Sequence, residues 1–160
     1  MLAYVCIIPH TSPMRYLGVD YGSKKIGLAL SDEAGAMGFP YSIVVNTPRL
    51  VDEICALIAK EDVGAVVIGE SRDLAGGENP IAKDAHTFGD LITARSGIPV
   101  CYESEVFTSA EARRAPEPAE GGSASGGKER KTRAPKVRVN VDASAAALIL
   151  TSYLSRTNHE

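Results

Sequence analysis

The stretch LGVDYGSKKIGLALSD, residues 17–32, constrains the fold more than any other part of the chain. Arg15 to Val19 and Ile26 to Ser31 are short strand-like runs, and the DYGSKK between them is a turn of flexible and polar residues. Together they read as a β-hairpin. Further on, Ala65-Val66-Val67-Ile68 is an unbroken apolar run, the pattern of a parallel strand buried on both faces. A sheet that holds both an antiparallel pair and a buried parallel strand is a mixed one.

The remaining elements follow from punctuation and periodicity. Tyr41 to Val45 makes a third strand after a Gly-Phe-Pro break. Thr47-Pro48 predicts a helix start, with Thr as cap and Pro in the first position. Leu50, Ile54, Leu57 and Ile58 give that helix an apolar face to about Lys60. A second helix is expected from Pro80 to Ser96 with Ile81, Ala85, Phe88, Leu91 and Ile92 inward. Ile98 to Tyr102 is the fifth strand. Thr108 opens a short helix with capping-box character. The last helix, about Val141 to Arg156, turns Ala145, Ala146, Leu148, Ile149 and Leu154 inward. Three antiparallel-type strands followed by helix, strand, helix, strand and a terminal helix predict an α/β fold. Its core is a central five-stranded mixed sheet flanked by helices, which is the layout of the RNase H-like fold.

Composition closes off several classes. The 160 residues suit one domain, and 44% apolar with 23% charged residues is ordinary for a globular protein. No apolar run approaches a membrane span. Three scattered cysteines, Cys6, Cys55 and Cys101, have neither disulfide nor zinc spacing and point to reduced thiols in the cytoplasm. MLAYVCIIPHTSP lacks the features of a signal peptide. Residues 1–13 are expected to be an N-terminal extension, and 14–160 a single domain. A net charge of −3 argues against generic nucleic-acid binding but allows a local basic surface.

Three carboxylates fall at comparable places. Asp20 closes the first strand, Glu105 lies just beyond the fifth, and Asp142 opens the final helix, where it also suits the helix dipole. If the two strand ends are neighbours, one helix start brings a third carboxylate alongside. Oxygen-only clusters of this kind prefer Mg²⁺ or Mn²⁺. Two such ions about 4 Å apart activate water and stabilise the leaving oxygen of a phosphodiester. Each residue also has an ordinary reading: Asp20 as turn chemistry before a glycine, Glu105 as a solvated loop residue, Asp142 as a helix N-terminal acid. The combination points to metal-dependent phosphodiester hydrolysis.

LGVDYGSKKIGLALSD resembles the opening motif of the YqgF (RuvX-like) family, the pre-16S rRNA nucleases and Holliday junction resolvases of the RNase H-like superfamily. The resemblance continues through VVIG at 66–69, SEVFTSAEA at 104–112 and VDASAAALILTSYL at 141–154. Carried over by position, the family's acidic triad falls on Asp20, Glu105 and Asp142, the three residues the strand-end pattern selects. Two departures stand out. Ser104-Glu105-Val106 replaces the family's usual Asp-Glu-Arg, and Gly69-Glu70-Ser71 replaces a common Gly-Leu-Pro. The second makes Glu70 either an additional ligand or a polar loop residue that caps a helix or binds Arg72.

From Arg113 to Arg138 eight Lys or Arg face three Glu, a local net charge of +5, with a flexible GGSASGG run inside the loop at about 115–138. KERKTRAPKVR lies directly ahead of Asp142, so Lys128, Arg130, Lys131 and Arg133 are candidate phosphate contacts, as are Lys24 and Lys25 in the hairpin turn. Lys25 stands where the family often has Arg, which keeps charge but loses the bidentate fork. A solvated charge run is the plainer alternative. His10, His86 and His159 are too dispersed for a histidine-based site, and Gly76-Gly77 lacks the context of a nucleotide loop. The sequence therefore predicts a nuclease acting on structured RNA, by resemblance the 5′ end of pre-16S rRNA, or on branched DNA. It predicts no membrane partner and a monomer or weak homodimer. A resolvase or a non-catalytic nucleic-acid-binding module are the alternatives.

Overall fold

A computed structural model describes residues 14–70, 79–104 and 141–158, without side-chain placement for Val141 and Asp142. In chain order the elements are β1 (Arg15–Asp20), β2 (Lys25–Ser31), β3 (Gly38–Val45), α1 (Leu50–Glu61), β4 (Val63–Glu70), α2 (Pro80–Ser96), β5 (Val100–Ser104) and α3 (Val141–Thr157). The strands form one sheet in the order β3-β2-β1-β4-β5. β1 pairs antiparallel with β2, and β2 with β3, whereas β1–β4 and β4–β5 are parallel. The mixed sheet expected from the hairpin and the apolar run is therefore present. Its parallel half brings the C-terminal ends of β1, β4 and β5 to one rim.

Alternation along the strands builds two cores. Leu17, Val19, Ile26, Leu28, Val66 and Ile68 face α1 and α2, where Ile54, Phe88 and Ile92 meet them. Tyr16, Ala29, Ala65, Val67 and Cys101 face α3 and pack on Ala146, Ile149, Leu150, Tyr153 and Leu154. β1 and β4 are covered on both faces, which is why 65–68 reads as continuous apolar sequence rather than as alternation. β3 is the outer strand and leaves Phe39, Tyr41 and Val45 exposed.

Several boundaries differ from the sequence reading. β3 begins at Gly38, so Gly-Phe-Pro lies inside the strand. Pro40 is tolerated because β3 is an edge and its register to β2 shifts between Leu28 and Ala29. α1 starts at Leu50 with Arg49 at the cap position and no side-chain cap. Thr47 Oγ1 instead accepts from the Arg49 amide at 3.3 Å, which makes Thr47-Pro48 a turn ahead of the helix. α2 begins as expected, with Asn79 Oδ1 accepting from the Ile81 amide at 3.0 Å and Pro80 in the first turn.

The inward faces also differ from those predicted. α2 buries Ala85, Phe88, Gly89 and Ile92, while Ile81 and Leu91 are exposed. α3 buries Ala143, Ala146, Ala147, Ile149, Leu150, Tyr153 and Leu154 at helical spacing, so Ala146, Ile149 and Leu154 lie inward as expected, whereas Leu148 falls outside that stripe and is exposed. Ala145 is half-buried. The Thr108 helix and the 115–138 loop lie outside the described residues, as do residues 1–13. No described helix is long and apolar enough to cross a membrane.

One glycine sets how closely α3 approaches the sheet. A Cβ on Gly18 would stand 2.8 Å from Leu150 Cβ and 2.9 Å from the Ala146 carbonyl oxygen. Only a residue without a side chain lets the helix backbone lie directly on β1.

Candidate active site

Asp20 is the last residue of β1, paired with Gly27 on β2 and with Gly69 on β4. Two residues back, Gly18 contacts α3, so alternation gives Asp20 the α3 side of the sheet. It is half-buried at the open rim. A carboxylate at the end of a strand keeps access to water or a cation, which removes the penalty it would meet inside the sheet.

The direction of α3 brings its start to the same place. Tyr153 lies beside Tyr16 with ring centroids 6.2 Å apart, and Ala146 and Leu150 lie on Gly18. Passing up β1 from Tyr16 to Gly18 thus means passing down α3 toward its N-terminus. The first turn of α3, Val141-Asp142, therefore falls at the Asp20 end of β1. The positive end of the helix dipole is directed at that rim. The Asp142 side chain lies outside the described residues.

β5 reaches the rim as well. Gly69 pairs with Glu103 and Glu70 with Ser104, so β5 ends level with the end of β4. Glu105 is the next residue in the chain and lies outside the described residues, as do Lys128, Arg130, Lys131 and Arg133.

The turn beyond Asp20 is held from the side. Asn46 donates to the Tyr21 hydroxyl at 3.1 Å and to the Gly22 carbonyl at 3.0 Å, and its own amide donates to the Lys24 carbonyl at 2.9 Å. Tyr21 rests on Phe88 of α2, centroids 5.4 Å apart. Lys24 and Lys25 project from this braced turn and are exposed. The hairpin thus places both lysines within five residues of Asp20, at the turn that follows it.

Two further carboxylates at the rim have partners of their own. Glu103 is buried on the α3 face, accepts from Arg156 at 2.6 Å and lies 3.5 Å from the Ser152 hydroxyl. Burial pushes its carboxyl above the ordinary glutamate value, against the opposing pull of Arg156 and the Ser152 hydrogen bond. Glu70 ends β4 on the opposite face, where its Oε1 is 3.2 Å from His86 Nε2. The His86 ring stacks on Tyr102 with centroids 4.1 Å apart. Burial, then Asp90, Glu70 and Cys101, push the Tyr102 hydroxyl up to about 12. Sequence reasoning overlooked Glu103 and discounted His86. A charged residue amid the apolar β5 run was the available signal for Glu103, and none existed for His86.

Among the described residues no three His, Cys, Asp or Glu side chains converge to hold a metal ion. With Glu70 and Glu103 turned to His86 and Arg156, Asp20 is the described rim carboxylate facing the start of α3. An all-carboxylate set of Asp20, Glu105 and Asp142 is composed of hard oxygen donors suited to Mg²⁺ or Mn²⁺ and ill suited to a soft metal.

Known proteins resemble this chain over most of its length. Residues 14–156 match the family model described as RuvX: Holliday junction resolvase. A relative from Ehrlichia chaffeensis, named as a candidate pre-16S rRNA nuclease, is 35% identical over 62% of this chain and 65% of its own. A relative of the same name from Anaeromyxobacter is 34% identical over 88% of this chain and 96% of its own. Among solved structures, Thermus thermophilus RuvC in complex with a Holliday junction substrate covers 91% of this chain and 96% of its own, with a TM-score of 0.55 at 16% identity. That likeness is one of fold, and it makes the sheet and its helices RNase H-like.

Proposed function

The chain belongs to the RuvX family, and on that premise we propose that it is a metal-dependent nuclease that hydrolyses phosphodiester bonds in structured RNA. Its substrate is pre-16S rRNA, as the names of its relatives suggest, and we place its action at the 5′ end of that RNA and in the cytoplasm. One observation carries the reading. Gly18 lets α3 lie against β1 so that the helix start meets Asp20 at the rim where β5 also ends.

Asp20, Glu105 and Asp142 are the proposed ligands and catalytic residues. A divalent cation bound there supplies positive charge that favours ionised water as nucleophile and offsets charge growing on the leaving oxygen. The protein's own contribution is placement. The Asn46 contacts hold the turn after Asp20, and Lys24 and Lys25 offer cations to the phosphates on either side of the scissile bond. Lys128, Arg130, Lys131 and Arg133 extend that contact in sequence toward Asp142. The helix dipole of α3 favours negative charge at the same end.

The second reading is resolution of four-way DNA junctions, favoured by the description of the matching family. A resolvase needs two copies to cut two strands symmetrically, whereas trimming an RNA end needs one. The discriminating experiment incubates the protein with a precursor rRNA end and with a four-way junction in Mg²⁺ or Mn²⁺, beside Asp20→Asn. Metal-dependent cleavage of the RNA by the wild type alone is the expected result. Equal cleavage by both proteins would remove Asp20 from the chemistry. Binding without cleavage of either substrate would make the chain a nucleic-acid-binding module.

A further inference from the structure

The Glu70–His86–Tyr102 cluster lies on the same rim as Asp20 but on the other face of the sheet. Tyr21, next to Asp20, rests on Phe88, two residues along α2 from His86. Glu70 follows Gly69, the β4 partner of Asp20. Ligands of open α/β sheets gather at the C-terminal ends of parallel strands, so a polynucleotide laid across Asp20 passes over this corner.

The chemistry of the imidazole is fixed by its neighbours. A carboxylate only accepts, so the contact between Glu70 Oε1 and His86 Nε2 requires the proton on Nε2. In the neutral ring Nδ1 is then a lone-pair acceptor. Stacking on Tyr102 and the Glu70 contact fix the plane and the rotation of the ring, while about half of the side chain stays exposed. Nδ1 has no partner among the described residues. A rigid, exposed acceptor with no donor among the described residues is the complement of a hydroxyl group. Within nucleic acids, the ribose 2′-hydroxyl is the donor that RNA has and DNA lacks.

We propose that His86 is an RNA-selecting contact, its Nδ1 accepting a hydrogen bond from a ribose 2′-hydroxyl of the bound strand. Glu70 is the positioning residue that sets the tautomer, which gives the Glu70 position a role other than metal ligation. The inference rests on the RNA-directed reading above and deepens it by naming the group that tells RNA from DNA.

The test measures binding in EDTA, at alkaline pH where imidazole rings are neutral. The probes are a hairpin RNA from the precursor 5′ end, the DNA of the same sequence, and the RNA with 2′-O-methyl groups. The proteins are the full-length wild type, His86→Phe, which keeps the stack on Tyr102 but has no Nδ1, and His86→Asn, whose amide oxygen can stand in for it. The wild type should prefer RNA to both other probes. His86→Phe should cut that preference about 2- to 10-fold with DNA affinity unchanged, the range of one hydrogen bond. His86→Asn should restore part of it.

An unchanged preference in His86→Phe overturns the proposal, as does equal weakening toward RNA and DNA, which would mark a phosphate contact. Should His86→Phe fail to fold, equal binding of the RNA and its 2′-O-methyl form by the wild type overturns it independently. Cleavage by the wild type with an unmoved preference rejects this contact and leaves the nuclease reading standing. A preference that moves in a protein that cleaves nothing does the reverse.

Discussion

The Ala146 carbonyl oxygen lies 2.9 Å from where a Cβ on Gly18 would stand. Through that contact a residue with no chemistry of its own bears on the proposed site, because it sets the height of α3 above β1 and so how near the start of α3 comes to the Asp20 end of the strand. The first prediction concerns this pair. Gly18→Ala forces the helix outward and should cost about 1–3 kcal/mol of stability in urea unfolding. Its cleavage rate should fall by more than the loss of folded protein explains. A variant with unchanged activity per folded molecule would show that the helix start is not part of the site.

Arg156 and Glu103 make a second testable pair. Burial raises the Glu103 carboxyl above its ordinary value. A raised carboxyl holds its proton more tightly folded than unfolded. Its contribution is therefore whole below the ordinary glutamate range and is lost as pH climbs through the raised value. Thermal melts should show the wild type losing stability relative to Glu103→Gln across that interval. Arg156→Ala, which removes the opposing cation, should steepen the loss and cost about 1–3 kcal/mol at neutral pH. Parallel pH profiles for wild type and Glu103→Gln would contradict the assignment.

Tyr102 offers a spectroscopic check. Its hydroxyl is pushed up to about 12, chiefly by burial. Ultraviolet titration should find Tyr102 among the tyrosines that ionise late. Tyr102→Phe should lower the amplitude of the late step by one tyrosine, and an unchanged amplitude would contradict the assignment.

How far the sequence carried the fold can be judged from particular residues. The hairpin at 17–32, the apolar run at 65–68 and the Asn79-Pro80 helix start were legible because each signal is local: turn chemistry, unbroken hydrophobicity, a cap. The outward turn of Leu148 and the exposure of Ile81 and Leu91 were not, since a helix reveals which residues are apolar but not how wide a stripe its neighbours cover. Thr47-Pro48 was misread for a related reason, as the same two residues cap a turn or a helix equally well. In the site, Asp20 could be singled out as a carboxylate at a strand end. The engagement of Glu70 by His86, and of Glu103 by Arg156, depends on contacts 16 and 53 residues apart in sequence. No local pattern encodes them.

The turn lysines should act on binding and salt response more than on chemistry. Lys24→Ala with Lys25→Ala should weaken RNA binding and flatten its dependence on salt by about one unit of log–log slope per lost phosphate contact. A double variant with the wild-type slope would place both lysines off the substrate path.

The central claim is that Asp20 is a ligand for the catalytic metal at the rim where α3 begins. The most direct measurement is single-turnover cleavage of the precursor rRNA 5′ end in Mg²⁺ by wild type and by Asp20→Asn, with RNA binding followed in parallel. The account predicts that Asp20→Asn binds RNA as the wild type does and cleaves it slower by on the order of 10³-fold or more, the loss of several kcal/mol of metal-assisted stabilisation. Cleavage by Asp20→Asn at the wild-type rate would contradict it.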